Sequence, residues 1–265
     1  MNESNKFKLS KEVKSWIAYD AGNSAFTTTV LAAFFPLFFS SYWAGNVDEI
    51  TSTKYFTASL TVINLIILIG MPIIGALSDV KNLSKTFFSI FSFLGALFVI
   101  SFYFVGQNEW LMAMILYGIA LFCFSASIVL YDKILIYISS AQNVSKISGF
   151  GYAVGYLGGG ILFVLNAFMV MNPNFFGLAD NVAAIKWSFV TVGVWWGIFT
   201  LPLLLNYKQP LIDEGNLTDA FGQIYKTLID ITHQKNVVLF LIAFFLYIDG
   251  VHTVIFLASM FANGI

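Results

Sequence analysis

Seven apolar runs dominate the chain, and each is long enough to cross a lipid bilayer as an α-helix. A spanning helix needs about 20 mostly apolar residues. The runs cover residues 16–43, 55–77, 86–105, 110–131, 147–171, 185–206 and 237–261, with short polar links between most of them. The sequence therefore predicts an all-α integral membrane protein with seven transmembrane helices.

The composition supports this class of protein and excludes several others. Hydrophobic residues make up 58% of the 265 positions and charged residues only 10%, whereas an ordinary soluble domain carries roughly 25% charged residues. The net charge of −1 gives no field that would attract nucleic acid. A single cysteine, Cys123, and two widely separated histidines form no metal or catalytic motif. We expect no metal, no cofactor and no enzymatic activity, and a lipid bilayer as the main partner.

The lysines set the predicted orientation, because cytoplasmic links are enriched in basic residues. All 13 basic residues are lysines. Most of them lie in the N-terminal tail and in the second, fourth and sixth links, whereas only Lys54 and Lys186 lie in links on the opposite side. We therefore expect a multi-pass protein of a bacterial plasma membrane with a cytoplasmic N-terminus.

The links also divide the chain. The sixth link is the longest and most charged, and apolar residues recur at helical spacing within 217–231, which indicates a helix lying on the membrane surface. The predicted segments are a cytoplasmic tail (1–15), a six-helix half (16–206), a cytoplasmic linker with the amphipathic helix (207–236) and one further transmembrane helix (237–265).

Polar residues interrupt the first apolar run. In "WIAYDAGNSAFTTT", Asp20, Asn23 and Thr27 are spaced so that they share one face of a helix, with Ser24 and Thr28 beside it. Ionisable groups inside a membrane usually serve function. The face is predicted to line a pathway for solute or protons, and the alternatives are a polar clamp between helices or an interfacial acid that reaches the lipid headgroups.

The link after the second run, "PIIGALSDVKNLSK", contains Gly75, Asp79 and Lys85. Glycine allows close packing, the carboxylate can bind a helix N-terminus, and the lysine adds cytoplasmic charge. We interpret the link as a gating loop, with a simple turn as the alternative. In the fourth run, the adjacent Asp132 and Lys133 cannot face one another on a helix, and a structural role is favoured for both.

The fifth run carries a glycine-rich segment, "GFGYAVGYLGGG". Gly151, Gly155 and Gly159 are four residues apart and form a face without side chains, so that another helix can approach closely. Helix packing is the predicted role, and a sliding surface of a gate is the alternative.

The seventh run, "FFLYIDGVHTVIF", carries Asp249 and His252 on one helical face. Asp249 lies about 21 Å along the helix from Lys235 at a rise of about 1.5 Å per residue, close to the bilayer midplane. A carboxylate beside an imidazole at that depth predicts a proton relay. A neutral aspartic acid bonded to a neighbouring helix is the alternative.

These motifs resemble the major facilitator superfamily, and within it the vacuole-effluxer-like branch related to the autophagy-linked amino-acid effluxers. The similar stretches are "YDAGNSAFTTTVLAAFFPLFF", "SKISGFGYAVGYLGGG", "WWGIFTLPLLL" and "FFLYIDGVHT", together with the loop residues Gly75, Leu77, Ser78 and Asp79. Several positions depart from the expected pattern, beginning with Ala21 and Gly22, which replace the branch's usual Trp-Ala pair. The loop after Asp79 keeps only Lys81 and Lys85 of its expected basic residues, and Asp132 replaces an asparagine in the fourth helix.

The resemblance implies two six-helix halves that hold a small solute between them and rock to alternate access. It also implies that the first and seventh helices face the same cavity. On this basis the chain holds the complete first half and one helix of the second, as a partial or truncated chain whose cavity is closed by the missing half or by a partner chain. We expect a secondary active transporter of an amino acid or similar solute, coupled to protons. A membrane sensor or scaffold that does not transport, and the fragment of a disrupted gene, are the alternatives.

Overall fold

The computed structural model describes residues 9–80, 82–210, 222, 226 and 229–261, without the side chains of Val80, Asp249 and residues 252–261. This part of the chain is helical and contains no strand, which confirms the predicted all-α class. The principal helices are α1 (Lys11–Trp43), α2 (Glu49–Val80), α3 (Ser84–Ser101), α4 (Trp110–Ile138), α5 (Val144–Met171), α6 (Asn181–Asn206) and α7 (Lys235–Phe261). Short 3₁₀ turns, Phe102–Phe104 and Pro173–Phe176, follow α3 and α5.

Six of these helices, α1 to α6, are long and apolar enough to cross a membrane. Five of them contain one of the first six apolar runs, and the run over 86–105 continues past the end of α3 into the 3₁₀ turn that follows it. The apolar part of α7 that the structure describes, Lys235–Ile248, is shorter, so the predicted seventh span stays a prediction. The predicted surface helix over 217–231 lies largely outside the described residues.

Helix α1 changes its winding near its middle. The α-helical Lys11–Ala25 passes into a π-helical segment, Phe26–Phe34, then into Phe35–Phe38 and a second π-helical segment, Phe39–Trp43. Such i→i+5 hydrogen bonding is uncommon and is found most often at functional sites. The change of winding begins among the polar residues that the sequence singles out, after Asp20 and Asn23 and at Thr27.

Side-chain caps fix where several helices begin. The Ser10 hydroxyl accepts a hydrogen bond from the Val13 amide at the start of α1. Asp48 accepts from the backbone amide of Thr51 before α2, and Asp180 accepts from that of Ala183 before α6. Each cap satisfies an amide that the first helical turn leaves without an intrahelical partner.

Helix α1 lies at the centre of the bundle. It packs against α5 on one side and α6 on another, while α3 packs against both α4 and α6. Aromatic side chains fill the core around the second half of α1, where Phe35, Trp43, Phe102, Tyr117 and Phe189 are all buried. Ring contacts such as Phe35–Tyr117, with centroids 4.1 Å apart, join α1 to α4.

Helix α2 is the least buried of the six long helices. Only 6% of the residues in its most apolar stretch are buried inside the structure, and side chains such as Leu68 and Ile69 are more than half exposed. It packs chiefly against α4. Most of its apolar surface is therefore free to meet lipid or other helices.

Candidate functional site

The interface between α1 and α5 is built on glycines. A Cβ atom added to Gly158 would lie 2.4 Å from the Ala21 Cβ, and one added to Gly159 would lie 2.9 Å from the Ser24 carbonyl oxygen. At Gly155 it would lie 2.7 Å from the Ser24 Oγ. Any larger residue would push the two backbones apart, so the glycines of α5 permit the close contact.

Asp20 lies directly on this glycine surface. Its carboxylate is half-buried, and an added Cβ at Gly155 would meet the Asp20 Oδ2 at 3.0 Å, or at 3.3 Å if added at Gly151. The next turns of α1 place Ser24 against Gly155, and Thr28, whose hydroxyl lies 3.3 Å from the Gly159 carbonyl oxygen, against the same helix. The polar face of α1 that meets α5 is thus Asp20, Ser24 and Thr28.

Asn23 and Thr27, which the sequence analysis grouped with Asp20, lie on other sides of α1. Asn23 is only 3% exposed, and its amide lies beside the Tyr19 hydroxyl. Its Nδ2 has no hydrogen-bond partner among the described residues. Thr27 is exposed at the start of the π-helical segment. The structure therefore distributes the predicted stripe over different sides of α1, and the role of each residue remains a prediction.

A second carboxylate, that of Asp132 on α4, is exposed. It follows Tyr131, whose ring stacks on Trp16 of α1. The sequence analysis predicts a structural role for Asp132, whereas the groups of α1 that it comes near are decided by the packing of α4 on α1. An acid in each of two apolar runs, separated by more than a hundred residues, is the signal in the sequence that could have linked Asp132 to Asp20.

Tyr131 is held against α1 by Trp16. Its ring stacks on Trp16 with centroids 4.1 Å apart and an interplanar angle of 4°, and its carbonyl oxygen accepts a hydrogen bond of 2.9 Å from the Trp16 Nε1. The Tyr131 hydroxyl is buried and has no hydrogen-bond partner among the described residues.

A buried hydrogen-bond network centres on Tyr19, which the sequence did not single out. The Tyr19 hydroxyl donates to Ser127 Oγ at 3.0 Å and accepts from Trp196 Nε1 at 3.2 Å. It also lies 3.2 Å from Ser92 Oγ. Ser127 donates its own proton to the Phe124 carbonyl oxygen, so it accepts the single hydroxyl proton of Tyr19. Ser92 must therefore be the donor in its hydrogen bond with Tyr19. The network joins α1, α3, α4 and α6 around one oxygen atom.

The link between α2 and α3, which the sequence predicts to be a gating loop, is held by a lysine from α4. Lys133 forms an ion pair with Asp79 and donates to Ser84 Oγ at 2.6 Å and Ser78 Oγ at 3.1 Å. The end of α2 and the start of α3 are thereby tied to α4. Asp79 binds this side chain rather than a helix N-terminus, and Lys133 turns away from Asp132 as the helix geometry requires.

The other two residues of this link, Lys85 and Gly75, differ in whether they contact a neighbouring helix. Lys85 donates from its Nζ to the Tyr207 carbonyl oxygen and from its backbone amide to Gln209 Oε1, each at 2.7 Å, and so attaches the loop to the end of α6. At Gly75, an added Cβ would meet nothing within 4 Å. The expected close helix packing at Gly75 is absent from the part of the chain that the structure describes.

The side chains of Asp249 and His252 lie outside the described residues, so their predicted pairing is not seen. The backbone of α7, which carries both, approaches the π-helical segment of α1, Phe26–Phe34. Within the described residues, no three His, Cys, Asp or Glu side chains lie together where they could hold a metal ion.

A groove between α2 and α4 has a volume of about 600 Å³ and is lined mainly by apolar side chains, among them Val62, Ile66, Met114 and Phe122. It lies in the N-terminal half of α4, whereas Asp132 lies near the other end of that helix. The groove is therefore separate from Asp132.

Six spanning helices around a core with buried hydrogen bonds and half-buried acids define a multi-pass membrane protein. Comparison with known sequences identifies the family to which it belongs. The chain belongs to the family described as vacuole effluxer Atg22 like, whose model matches residues 41–265. The family predicted from the sequence motifs is thereby confirmed.

The relatives are longer than this chain. The uncharacterized MFS-type transporter YxiO of Bacillus subtilis is 28% identical over 263 residues, which cover 97% of this chain and 61% of the relative. An uncharacterized protein of Aquifex aeolicus is 27% identical over 80% of this chain and 50% of its own length. Autophagy-related protein 22-1 of Penicillium rubens is 31% identical over 45% of this chain and 22% of its own length. No solved structure gives a significant match.

Proposed function

We propose that the chain is part of a secondary active transporter that moves a small organic solute, an amino acid or similar, by alternating access and with proton coupling. One observation carries the proposal. Asp20 lies half-buried in a membrane-spanning helix, on a glycine surface, without a basic partner among the described residues. A carboxylate in such a place can take up and release a proton as its surroundings change.

The relatives support the class of function. One is named as an MFS-type transporter, and the family description refers to a vacuole effluxer. Because this chain covers 61% of the first of these relatives, the activity of the whole protein is carried over here as a proposal. Its setting is proposed to be a bacterial plasma membrane, with the N-terminus in the cytoplasm.

The proposed architecture has residues 1–15 as a tail, 16–206 as the first six-helix half, 207–236 as a cytoplasmic linker and 237–265 as the first helix of a second half. Further helices, in the same polypeptide or in a partner, would close the cavity. The approach of α7 to the π-helical part of α1 supports this arrangement, since the two helices would then face one cavity.

Two features of the structure are suited to alternating access. The glycine contact between α1 and α5 has no side chains that would resist a small sliding movement. The pair of Asp79 with Lys133, and the bond from Lys85 to Tyr207, tie the cytoplasmic ends of α2, α3, α4 and α6 together. We propose that these ties keep the half rigid while it rocks.

Uptake into proteoliposomes tests the proposal. The complete gene product that contains this chain would be reconstituted and supplied with radiolabelled amino acids under an imposed pH gradient. We expect accumulation driven by the gradient, lost in Asp20→Asn and Asp249→Asn and kept in the exposed loop variant Asp48→Asn. Thermal stabilisation by a solute without any flux would contradict transport and favour a sensor. DNA downstream of the last codon that encodes no further helices would contradict a second half in the same polypeptide and would require a partner chain for the two-half architecture.

A further inference from the structure

A polar cavity lies at the end of the bundle where α1 begins and where α4 and α6 end. It has a volume of about 310 Å³, and its lining includes Glu12 in the first turn of α1, Tyr137 in the last turn of α4, and Tyr207 and Lys208 directly after α6. Because successive spanning helices alternate in direction, these helix ends lie at the same membrane surface.

The lengths of the helices place this cavity among lipid headgroups. Helices α4 and α6 have 29 and 26 residues, which correspond to about 44 and 39 Å at a rise of about 1.5 Å per residue. Both exceed a hydrocarbon core of about 30 Å, so their ends reach the headgroup region.

An acid and a base line the cavity without neutralising each other. Glu12 is half-buried and Lys208 is exposed. The two side chains form no ion pair with each other, and neither pairs with any other charged group that the structure describes. A ligand in the cavity can therefore meet one charge of each sign.

The Tyr207 hydroxyl is a second, independent observation that points to a ligand. Tyr207 is 2% exposed, and its hydroxyl has no hydrogen-bond partner among the described residues. The backbone of Tyr207 is already bonded, because its amide donates to the Leu203 carbonyl oxygen and its carbonyl oxygen accepts from Lys85 Nζ. The structure thus fixes Tyr207 in the wall of the cavity with a polar group left to pair.

An exposed apolar stripe on α6 leads towards the cavity. Ile198, Leu201 and Leu205 share one face of the helix and are 56%, 47% and 81% exposed. The stripe is about 10 Å long at a rise of about 1.5 Å per residue, which is most of the depth of one leaflet, and it ends three residues before Lys208. An acyl chain can lie along it.

We propose that the cavity binds the headgroup of phosphatidylethanolamine. The ammonium group of that lipid donates hydrogen bonds to Glu12, and its phosphate accepts from Lys208 and from the Tyr207 hydroxyl. A short ethyl link joins the two charged groups of the lipid, so one headgroup satisfies both side chains. The proposal concerns a lipid partner and does not depend on the proposed transport.

Other phospholipids match this pair of charges less well. Phosphatidylcholine carries a quaternary ammonium group, which has no N–H donor for Glu12. Phosphatidylglycerol has no cation, and its phosphate would lie near the carboxylate of Glu12, which carries a like charge. Lys208 alone would favour phosphatidylglycerol, so a preference for phosphatidylethanolamine is the signature of Glu12.

Native mass spectrometry of the complete gene product that contains this chain tests the proposal. The protein in detergent would be titrated with dioleoyl lipids of the three headgroups, and the fraction that retains one lipid would be measured. We expect phosphatidylethanolamine to bind about tenfold more tightly than the other two. Glu12→Gln and Lys208→Met should each lower that affinity about tenfold, as for the loss of a charge-assisted hydrogen bond.

Matched controls are available at the opposite membrane surface. Glu49 lies in the first turn of α2, as Glu12 does in α1, and Lys54 is exposed like Lys208. Glu49→Gln and Lys54→Met should leave the lipid affinity unchanged. Thermal unfolding would verify that each variant is folded.

Tyr207→Phe separates a contact with the lipid from a purely structural role. We expect it to lower the affinity for phosphatidylethanolamine several-fold, while thermal stability without added lipid is unchanged or raised, because no described hydrogen bond of the hydroxyl is lost. Unchanged affinity in folded Tyr207→Phe and Lys208→Met variants overturns the site.

The remaining outcomes identify the ligand. Equal affinity for the three lipids, or a preference for phosphatidylglycerol, overturns the proposed headgroup. Displacement of the bound lipid by an equal concentration of glycerophosphoethanolamine, which has the same headgroup and no acyl chain, overturns the lipid in favour of a soluble phosphoamine.

Discussion

Lys133 of α4 pairs with Asp79 at the end of α2, and the two side chains differ in exposure. The side chain of Lys133 is 16% exposed and that of Asp79 is 55% exposed. Lys133 also donates to Ser78 and Ser84, whereas no other hydrogen bond or ion pair is seen for the Asp79 side chain among the described residues. The Lys133 side chain is therefore held in place by several partners, whereas the Asp79 carboxylate is accessible to water.

A double-mutant cycle on this pair should give a modest coupling energy. We expect Asp79→Asn, Lys133→Met and the double variant to show a coupling of about 1 kcal/mol, because an exposed partner weakens an ion pair. Reversible unfolding in detergent would measure it. Lys133→Arg, which keeps the charge, serves as the control, and a coupling of zero would show that the ion pair contributes nothing to stability.

The contact between α1 and α5 predicts a sharp difference between neighbouring glycines. Gly158→Ala should destabilise the protein by about 1–3 kcal/mol, because its new methyl group would overlap Ala21. Gly160→Ala is the matched control on the same helix, since an added Cβ there meets nothing within 4 Å. It should be neutral or stabilising by up to about 1 kcal/mol through helix propensity. Melting curves that rank the two variants in the opposite order would contradict the packing.

The network around Tyr19 predicts that removing the Tyr19 hydroxyl lowers the free energy of unfolding. Tyr19→Phe leaves the buried donors of Trp196 and Ser92 without their acceptor, and we expect a loss of about 1–3 kcal/mol. Tyr156, which is 74% exposed, provides the matched control as Tyr156→Phe. Chemical unfolding followed by tryptophan fluorescence would compare the two, and equal stabilities would contradict the network.

The cap on α2 predicts a pH dependence. Hydrogen bonds from the Thr51 side chain and backbone hold the pKa of the exposed Asp48 below its usual value. A lowered folded-state pKa adds stability that is present above the unfolded-state pKa of about 3.9 and is lost as the pH falls through the folded-state pKa.

We therefore expect Asp48→Ala to lower the melting temperature at neutral pH by an amount that shrinks on acidification. Asp48→Asn, whose side-chain oxygen can still accept from the Thr51 amide without titrating, should show a smaller difference that does not change with pH. Melting temperatures of all three proteins at several pH values between neutral and acidic would check this. A pH-independent effect of Asp48→Ala would contradict the charge contribution.

Several residues show how far the sequence could predict the site. It singled out Asp20 because an acid in an apolar run is conspicuous, and it singled out the glycines of α5 because their spacing of four is visible along the chain. Tyr19 and Tyr131 were missed because a tyrosine in an apolar helix gives no local sign of what its hydroxyl meets. Asp132 was assigned a structural role because it cannot face its neighbour Lys133 on a helix, and the sequence does not show which partner it meets instead.

The sequence by itself determined the apolar spans, their polar links and the family, because helix length and hydrophobicity in a bilayer are local properties of the chain. Only the tertiary structure decided which polar groups meet. The close approach of α1 to α5 places Asp20 against Gly155, and the packing of α4 against α2 and α3 brings Lys133 to Asp79. Such pairings depend on helix packing between segments far apart in the chain, which no local pattern encodes.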